Sequence, residues 1–324
     1  MKRRDLGRVG LVTLACGIGV LLSVAMVAAY PEKPVTVIVG FPAGGAMDMT
    51  GRAITEAVKS HFPKPMVVVN RPGAAGTIGT AEIIQAKPDG YTIGLSAVAV
   101  LTVQPHRTKL PYSSPEDYTP IIKLNNLPVC FAVRADAPWK SMKEVLDYAR
   151  ANPGKVRVGH GGNGTILHLD LELLKTKANV DMTAVPFTGG AESVPALLGG
   201  HVEGLNNHHG EIIPHVRAGK ARVLAVYEEK RNPLFPDVPT FRELGYDVTL
   251  GVYYVIIGPK GLPPGIVSML HDAFRKAMDE EAFVKAMKAR GFDVAYEGTS
   301  AIRERLVRDF EQNAKLVDIL RAEK

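Results

Sequence analysis

The chain has 324 residues, of which 46% are apolar and 22% charged, the balance of a globular protein that buries a core. Its formal net charge is +6; without the first 29 residues, which carry Lys2, Arg3, Arg4 and Arg8 against Asp5, the balance is 35 Lys+Arg to 32 Asp+Glu. No basic stripe with interleaved aromatics remains, so the chain lacks the footprint of a nucleic-acid binder.

The chain begins with that basic head, an apolar run over 9–27 and the small residues Val27-Ala28-Ala29. This order is that of a secretory signal peptide cleaved near Ala29, and it implies a periplasmic mature protein. The run is also long enough to stay as an anchor, and Arg3-Arg4 is a partial twin-arginine signal beside the more ordinary Sec route. Cys16 follows Thr13-Leu14-Ala15, a poor lipobox, and the apolar run continues well past it. No later segment is apolar enough to cross a bilayer. Cys130 is then the one remaining cysteine, a small hydrophobe in LPVCFAV that has no disulfide partner.

From residue 34 the chain alternates strand-like and helix-like stretches. PVTVIVG (34–40) is a β-branched strand, FPAGGAMD a glycine-rich turn, and MTGRAITEAVKSHF a helix with Ile54 and Val58 on one side. MVVVN (66–70), the loop RPGAAGTIGT, the short helix TAEIIQAK, the turn Pro88-Asp89-Gly90 and the strand YTIGLSAV follow. LPVCFAVRAD (127–136) reads as a strand and 139–150 as an amphipathic helix starting near Ser141. VRVGHGGNG is a strand and loop, TILHLDLELLKTK a helix, and MTAVPF (182–187) a strand. TGGAESVPALLGG is a turn and helix; VEGLNN and ARVLAVY (221–227) are strands. VTLGVYYVIIG (248–258) is a long apolar run, and two helices over about 264–290 and 299–322 end the chain.

Strand, loop, helix, strand in this order means βαβ units and an α/β fold. Two lobes are expected, each a mostly parallel sheet flanked by helices. Lobe one takes 30–128 plus 254–324, and lobe two takes 129–253. The crossing segments LPVCFAV and VTLGVYYVII are apolar and strand-like, which suits a hinge of strands. The cleft then lies between the lobes at the C-terminal ends of the strands.

The mature chain resembles the substrate-binding proteins of tripartite tricarboxylate transporters, the Bug family of periplasmic receptors. The likeness is carried by YPEKPVTVIVGFPAGGAMDMTGR (30–52), VNRPGAAGTIGT (69–80), KPDGYTIGLS (87–96), EDYTP (116–120), the loop at 159–168, VPFTGGAESVPALLGGHVE (185–203), AGKARVLAV (218–226) and DVPTFRELGY (237–246), in the family's order. The resemblance implies a Venus-flytrap receptor that closes on a small carboxylate, a di- or tricarboxylate or an aromatic acid, and hands it to membrane permease subunits. It implies two carboxylate-holding loops, 41–48 (Phe41, Ala43, Gly44, Gly45, Ala46, Asp48) and 161–165 (Gly161, Gly162, Asn163, Gly164, Thr165). Thr188, Gly189 and Asn207 complete lobe two's wall. The family commonly has an aromatic and an Asp near 206–209, where this chain reads Asn206-Asn207-His208-His209. Losing that acid speaks against an amino-acid ligand and for an acidic or neutral polar tail.

The chemistry of these loops is consistent with that role. Glycines let an anion approach unpaired N–H groups, and each loop leads into a helix whose dipole adds positive potential. Asp48 reads as the N-cap of the helix over 49–60, with Arg52 as its structural partner. Ser96 reads as a hydroxyl at a strand end in the cleft. His208, His209, Glu211 and His215 cluster, but Pro214 should break any helix that could align them on a metal, so they read as turn residues. His160 and His168 flank the glycine loop, with His168 on the inner face of its helix.

Gly159, Gly161 and Gly164 spell G-x-G-x-x-G, the spacing of a dinucleotide-binding loop. A nicotinamide site also needs an acid at the end of the next strand, and that strand ends at Phe187-Thr188. An oxidoreductase is therefore the remote alternative. A receptor that presents ligand to a membrane signalling protein is the nearer one, because it would use the same cleft. Neither a cofactor nor a metal is expected, and a monomer is.

Overall fold

The structure, a computed structural model, describes residues 30–322; the expected signal peptide and its cleavage point lie outside the described residues. The outward pass through the first sheet runs β1 (Val35–Val39), α1 (Ala46–Ala57), β2 (Met66–Asn70), α2 (Thr77–Ile84), β3 (Thr92–Ala97), the short α3 (Val98–Thr102) and α4 (Gln104–Arg107), and β4 (Tyr118–Asn126). The second sheet is built from β5 (Val129–Arg134), α5 (Met142–Ala151), β6 (Arg157–His160), α6 (Ile166–Ala178), β7 (Thr183–Pro186), α7 (Gly190–Leu198), β8 (Gly204–His208), α8 (His209–Arg217) and β9 (Ala221–Val226). The chain then returns through β10 (Tyr253–Pro259), α9 (Pro264–Met278), α10 (Glu281–Ala289), β11 (Asp293–Glu297) and α11 (Thr299–Ala322).

Local chemistry accounts for these elements. The β-branched run of β1 is buried on both faces, as a central strand under helices must be. In α5 the Ser141 hydroxyl accepts the Glu144 N–H, and Met142, Val145, Leu146 and Ala149 bury one stripe. Each of the larger apolar side chains in that stripe contributes about 1.5–3 kcal/mol by burial.

The strand orders are β11-β4-β10-β3-β1-β2 and β7-β6-β8-β5-β9. Pairing is mixed. β1 runs parallel to β2 and β3, and β6 to β7 and β8, whereas β10, β11 and β5 pair antiparallel with their neighbours. The antiparallel strands include the two that adjoin the crossings, β5 on entry to the second sheet and β10 on return. The crossings are shorter than the apolar run suggests: β10 begins only at Tyr253. They lie side by side, with Leu127 N–H donating to the Val252 carbonyl at 2.9 Å.

Several elements differ from expectation. The helix expected over 264–290 is two, α9 and α10, parted after Asp279 at Glu280, where the backbone turns extended. β4 and β11 carry too much polarity to read as strands. Lys123 of β4 is buried, with its ammonium 2.8 Å from Glu297 of β11, which Arg305 also holds at 2.7 Å. Pro120 of β4 stands where the ladder with β10 shifts register, a position that tolerates its missing N–H. α8 runs through Pro214. The hydrogen bond that proline forgoes is to the carbonyl of Gly210, in the first turn, and buried Ile212 and Ile213 anchor the helix.

Candidate ligand-binding site

β1, β3, β6, β7 and β8 all lead toward the boundary between the sheets, and a helix follows each. The first turns of those helices line one cavity: Gly45, Ala46 and Met47 of α1, Thr165, Ile166 and Leu167 of α6, Gly189 and Gly190 of α7, and His208 and Glu211 of α8. Phe41, Pro42, residues 97–100, Gly161, Asn207, Val252 and Tyr254 complete the wall. The cavity is small, about 50 Å³, with room for a few waters. Neither Lys nor Arg is among these lining residues. Positive potential in the cavity comes from helix N-termini instead.

Of the residues expected to hold ligand, Phe41, Gly45, Ala46, Gly161, Thr165, Gly189 and Asn207 line this cavity. Gly162, Asn163 and Thr188 line a second cleft on the same boundary, with Ala74, Ala75 and Arg107. Gly164, at φ +78°, packs against Gln104, whose amide would stand 2.7 Å from any Cβ there. Ala43 and Gly44 are exposed in the turn before α1. Ser96 is buried, its hydroxyl 2.9 Å from that of Thr80 on α2.

Asp48 is not the N-cap of α1; Gly45 is, without a side-chain bond. One turn in, Asp48 Oδ2 accepts from the Gly44 N–H at 2.9 Å and from Arg52 Nε at 3.0 Å, and Oδ1 accepts from Asn70 at 2.9 Å. Burial works against its charge, but these donors outweigh it and hold the carboxyl below the usual range. Arg52 is its partner, as expected.

The glycine loop before α6 uses its donors on itself. Gly162 N–H donates to His160 Nδ1 at 3.3 Å, Gly164 N–H to His168 Nδ1 at 3.2 Å, and Thr165 N–H to the Gly162 carbonyl at 3.3 Å. Burial, with His168 close by, pushes His160 down to about 3, so the ring is neutral and its nitrogen can accept. The first turn of α6, Ile166 and Leu167, is what reaches the cavity from this loop.

Glu211 is the residue that sequence reading missed. Its Oε1 accepts the Ala46 N–H at 2.8 Å, joining α8 to α1 across the boundary. Oε2 is buried and has no hydrogen-bond partner. Burial lifts this carboxyl to about 7, against the lowering effect of Ala46 and Asn207. The fit is close: a Cβ on Gly190 would lie 2.0 Å from Oε2. Next to it, burial pushes His208 down to about 4, and its Nδ1 also lacks a partner. Among the described residues no group of three or more His, Cys, Asp or Glu side chains could hold a metal. Accepting α8 as a helix would have placed Glu211 at the same strand-to-helix end as the glycine loops; the proline hid it.

A family model described as the tripartite tricarboxylate transporter family receptor matches residues 50–321. The protein BugT of Bordetella pertussis is 30% identical over 286 residues, which are 85% of this chain and 87% of BugT. Among solved structures, MatC from Rhodopseudomonas palustris, with bound malate, matches at TM-score 0.83 and 28% identity over 89% of this chain and all of that one. A second protein of that organism, with adipate, matches at TM-score 0.85 and 26% identity over 90% of this chain and 98% of the other. These matches set the oxidoreductase alternative aside: the chain is a receptor and not an enzyme. With its two mixed sheets and the cavity between them, the chain belongs to the tripartite tricarboxylate transporter receptor family, a two-lobed α/β solute-binding protein.

Proposed function

We propose that the mature chain is a periplasmic receptor that captures a small carboxylate between its lobes and delivers it to the permease of a tripartite tricarboxylate-type transporter. The observation that carries this is the convergence of four helix N-termini, those of α1, α6, α7 and α8, on one cavity without a cationic side chain in its wall. Each N-terminus carries roughly half a unit of positive charge; with bridging water and the amides that Glu211, His160 and His168 leave open, that is enough to receive a carboxylate. Relatives with malate and adipate support the ligand class, a di- or tricarboxylate or an aromatic acid. On this reading the lobes are 30–128 plus 254–324 and 129–253, they close on the ligand, and the protein works as a monomer.

The test is a thermal-shift screen of the mature protein against malate, adipate, citrate, benzoate, aspartate and NADH. A carboxylate at a hundred times its Kd should add about 2.7 kcal/mol of stability. Stabilisation by NADH, with no response to any carboxylate, would sink the reading.

A further inference from the structure

A cavity that receives an anion should not present an acid of its own, yet Glu211 lines it. The acid is held in place, not stray. Oε1 is fixed by the Ala46 amide at 2.8 Å, and Gly190 leaves room for Oε2 where any side chain would collide. Oε2 is buried without a partner, against the general rule that buried polar atoms are satisfied. Two ionised carboxylates in one enclosed space repel strongly, and one of them keeps a proton.

We propose that Glu211 reads the ligand as a neutral acid: Oε1 goes on accepting from Ala46 while Oε2–H donates to the captured carboxylate, so that a proton is taken up with the ligand wherever Glu211 starts out ionised. This rests on the carboxylate reading above and names the residue that recognises the ligand. The proton comes from solvent and stays between the two carboxyl groups. An acidic acceptor is thereby favoured at this end of the cavity, and a ligand ammonium, which wants the ionised acid, is disfavoured.

The groups around Glu211 leave it free to play this part. Burial keeps His208 and His209 neutral, at about 4 and about 3. Burial likewise raises the Cys130 thiol on β5 and the Tyr254 hydroxyl on β10, so both stay protonated. On α1, Asp48 is tied to Arg52 and Asn70. On α7, Glu192 accepts the Thr188 N–H and lines the second cleft. His215 and Arg217 lie farther along α8, and Arg290 packs on Gly210 and Met49. Among the described residues burial also lifts Glu228 to about 7, and raises Asp170 and Asp293; Glu228 lies beyond His209 and lines a different cleft.

Calorimetric titration of malate and adipate between pH 5.5 and 9 decides the matter. The wild-type Kd should be level below about pH 7 and rise about tenfold per pH unit above it. Repeating the titration at pH 8.5 in buffers of different ionisation enthalpy should count about one proton taken up per ligand, falling toward none at pH 5.5. Glu211→Gln should lose the slope, and Glu228→Gln should keep it. A flat wild-type profile with no proton uptake, affinity that rises with pH, or a slope that survives in Glu211→Gln overturns the proposal while leaving a carboxylate receptor standing. Absence of binding by either acid, or by any carboxylate of the screen, overturns both. If Glu211→Gln does not fold, the proton count on the unaltered protein decides.

Discussion

Gly190→Ala tests the placement of Glu211 directly. The added methyl would stand 2.0 Å from Oε2, 2.1 Å from Cδ and 2.3 Å from Oε1, against the roughly 3.5 Å of a normal contact. Gly190 opens α7, so alanine itself is acceptable to the backbone and would add up to about 1 kcal/mol by helix propensity. The carboxyl must therefore move, and the bond from the Ala46 N–H goes with it. A hydrogen bond to a charged or strongly polar group is worth about 1.5–3 kcal/mol, and overpacking costs about 1–3 kcal/mol. The net expectation is a loss of about 2–4 kcal/mol. Urea unfolding of the ligand-free protein reads it, together with Glu211→Ala and the double variant. Once the acid is gone the methyl has room, so Gly190→Ala should be neutral or mildly stabilising in that background. The cycle should return a coupling of about 2 kcal/mol or more. Additive effects, or a Gly190→Ala protein as stable as wild type, would show that Glu211 does not lie against α7.

Other outcomes follow from the same geometry. Ala46→Pro keeps α1, because proline suits the first helical position and Gly45 before it is extended, yet it deletes the amide from which Glu211 Oε1 accepts; stability should fall by about 1–3 kcal/mol in urea unfolding, and an unchanged protein would contradict that bond. Glu297→Gln leaves Lys123 buried without its counter-charge and should cost about 3–5 kcal/mol, whereas Lys123→Met leaves Glu297 with Arg305 and should cost far less; equal losses in urea unfolding would contradict this. Asp48 has its carboxyl held low, so its contribution is present above the ordinary carboxylate range and is lost as pH falls through its own lower value; Asp48→Asn should flatten that acid limb. Glu211 and Glu228 have raised values, so the stability of their neutral forms is full below the ordinary glutamate range and is lost as pH rises through about 7. Subtracting Glu211→Gln from wild type should expose that loss in unfolding measurements between pH 4 and pH 8.

By itself the sequence determined what depends on near neighbours. Runs such as VTVIV and MVVVN, and the 3.6-residue stripe of α5, need only local periodicity to declare strand or helix, and glycine turns between them mark α/β units. The ordered motifs from residue 30 onward carried the family resemblance, which the comparisons bear out. Tertiary structure decided whatever rests on partners far along the chain. β4 is a strand because Lys123 is neutralised from 174 residues away by Glu297, a compensation invisible in YTPIIKLNN. α8 survives Pro214 because Ile212 and Ile213 are buried against the second sheet, and packing outweighs one lost hydrogen bond. The glycine loop read as an anion cradle has its amides taken by His160 and His168, rings that come together only in the fold. Glu211 and the Ala46 amide are 165 residues apart, and only closure of the two sheets on one another turns a residue in an unpromising turn into the acid that faces the cavity.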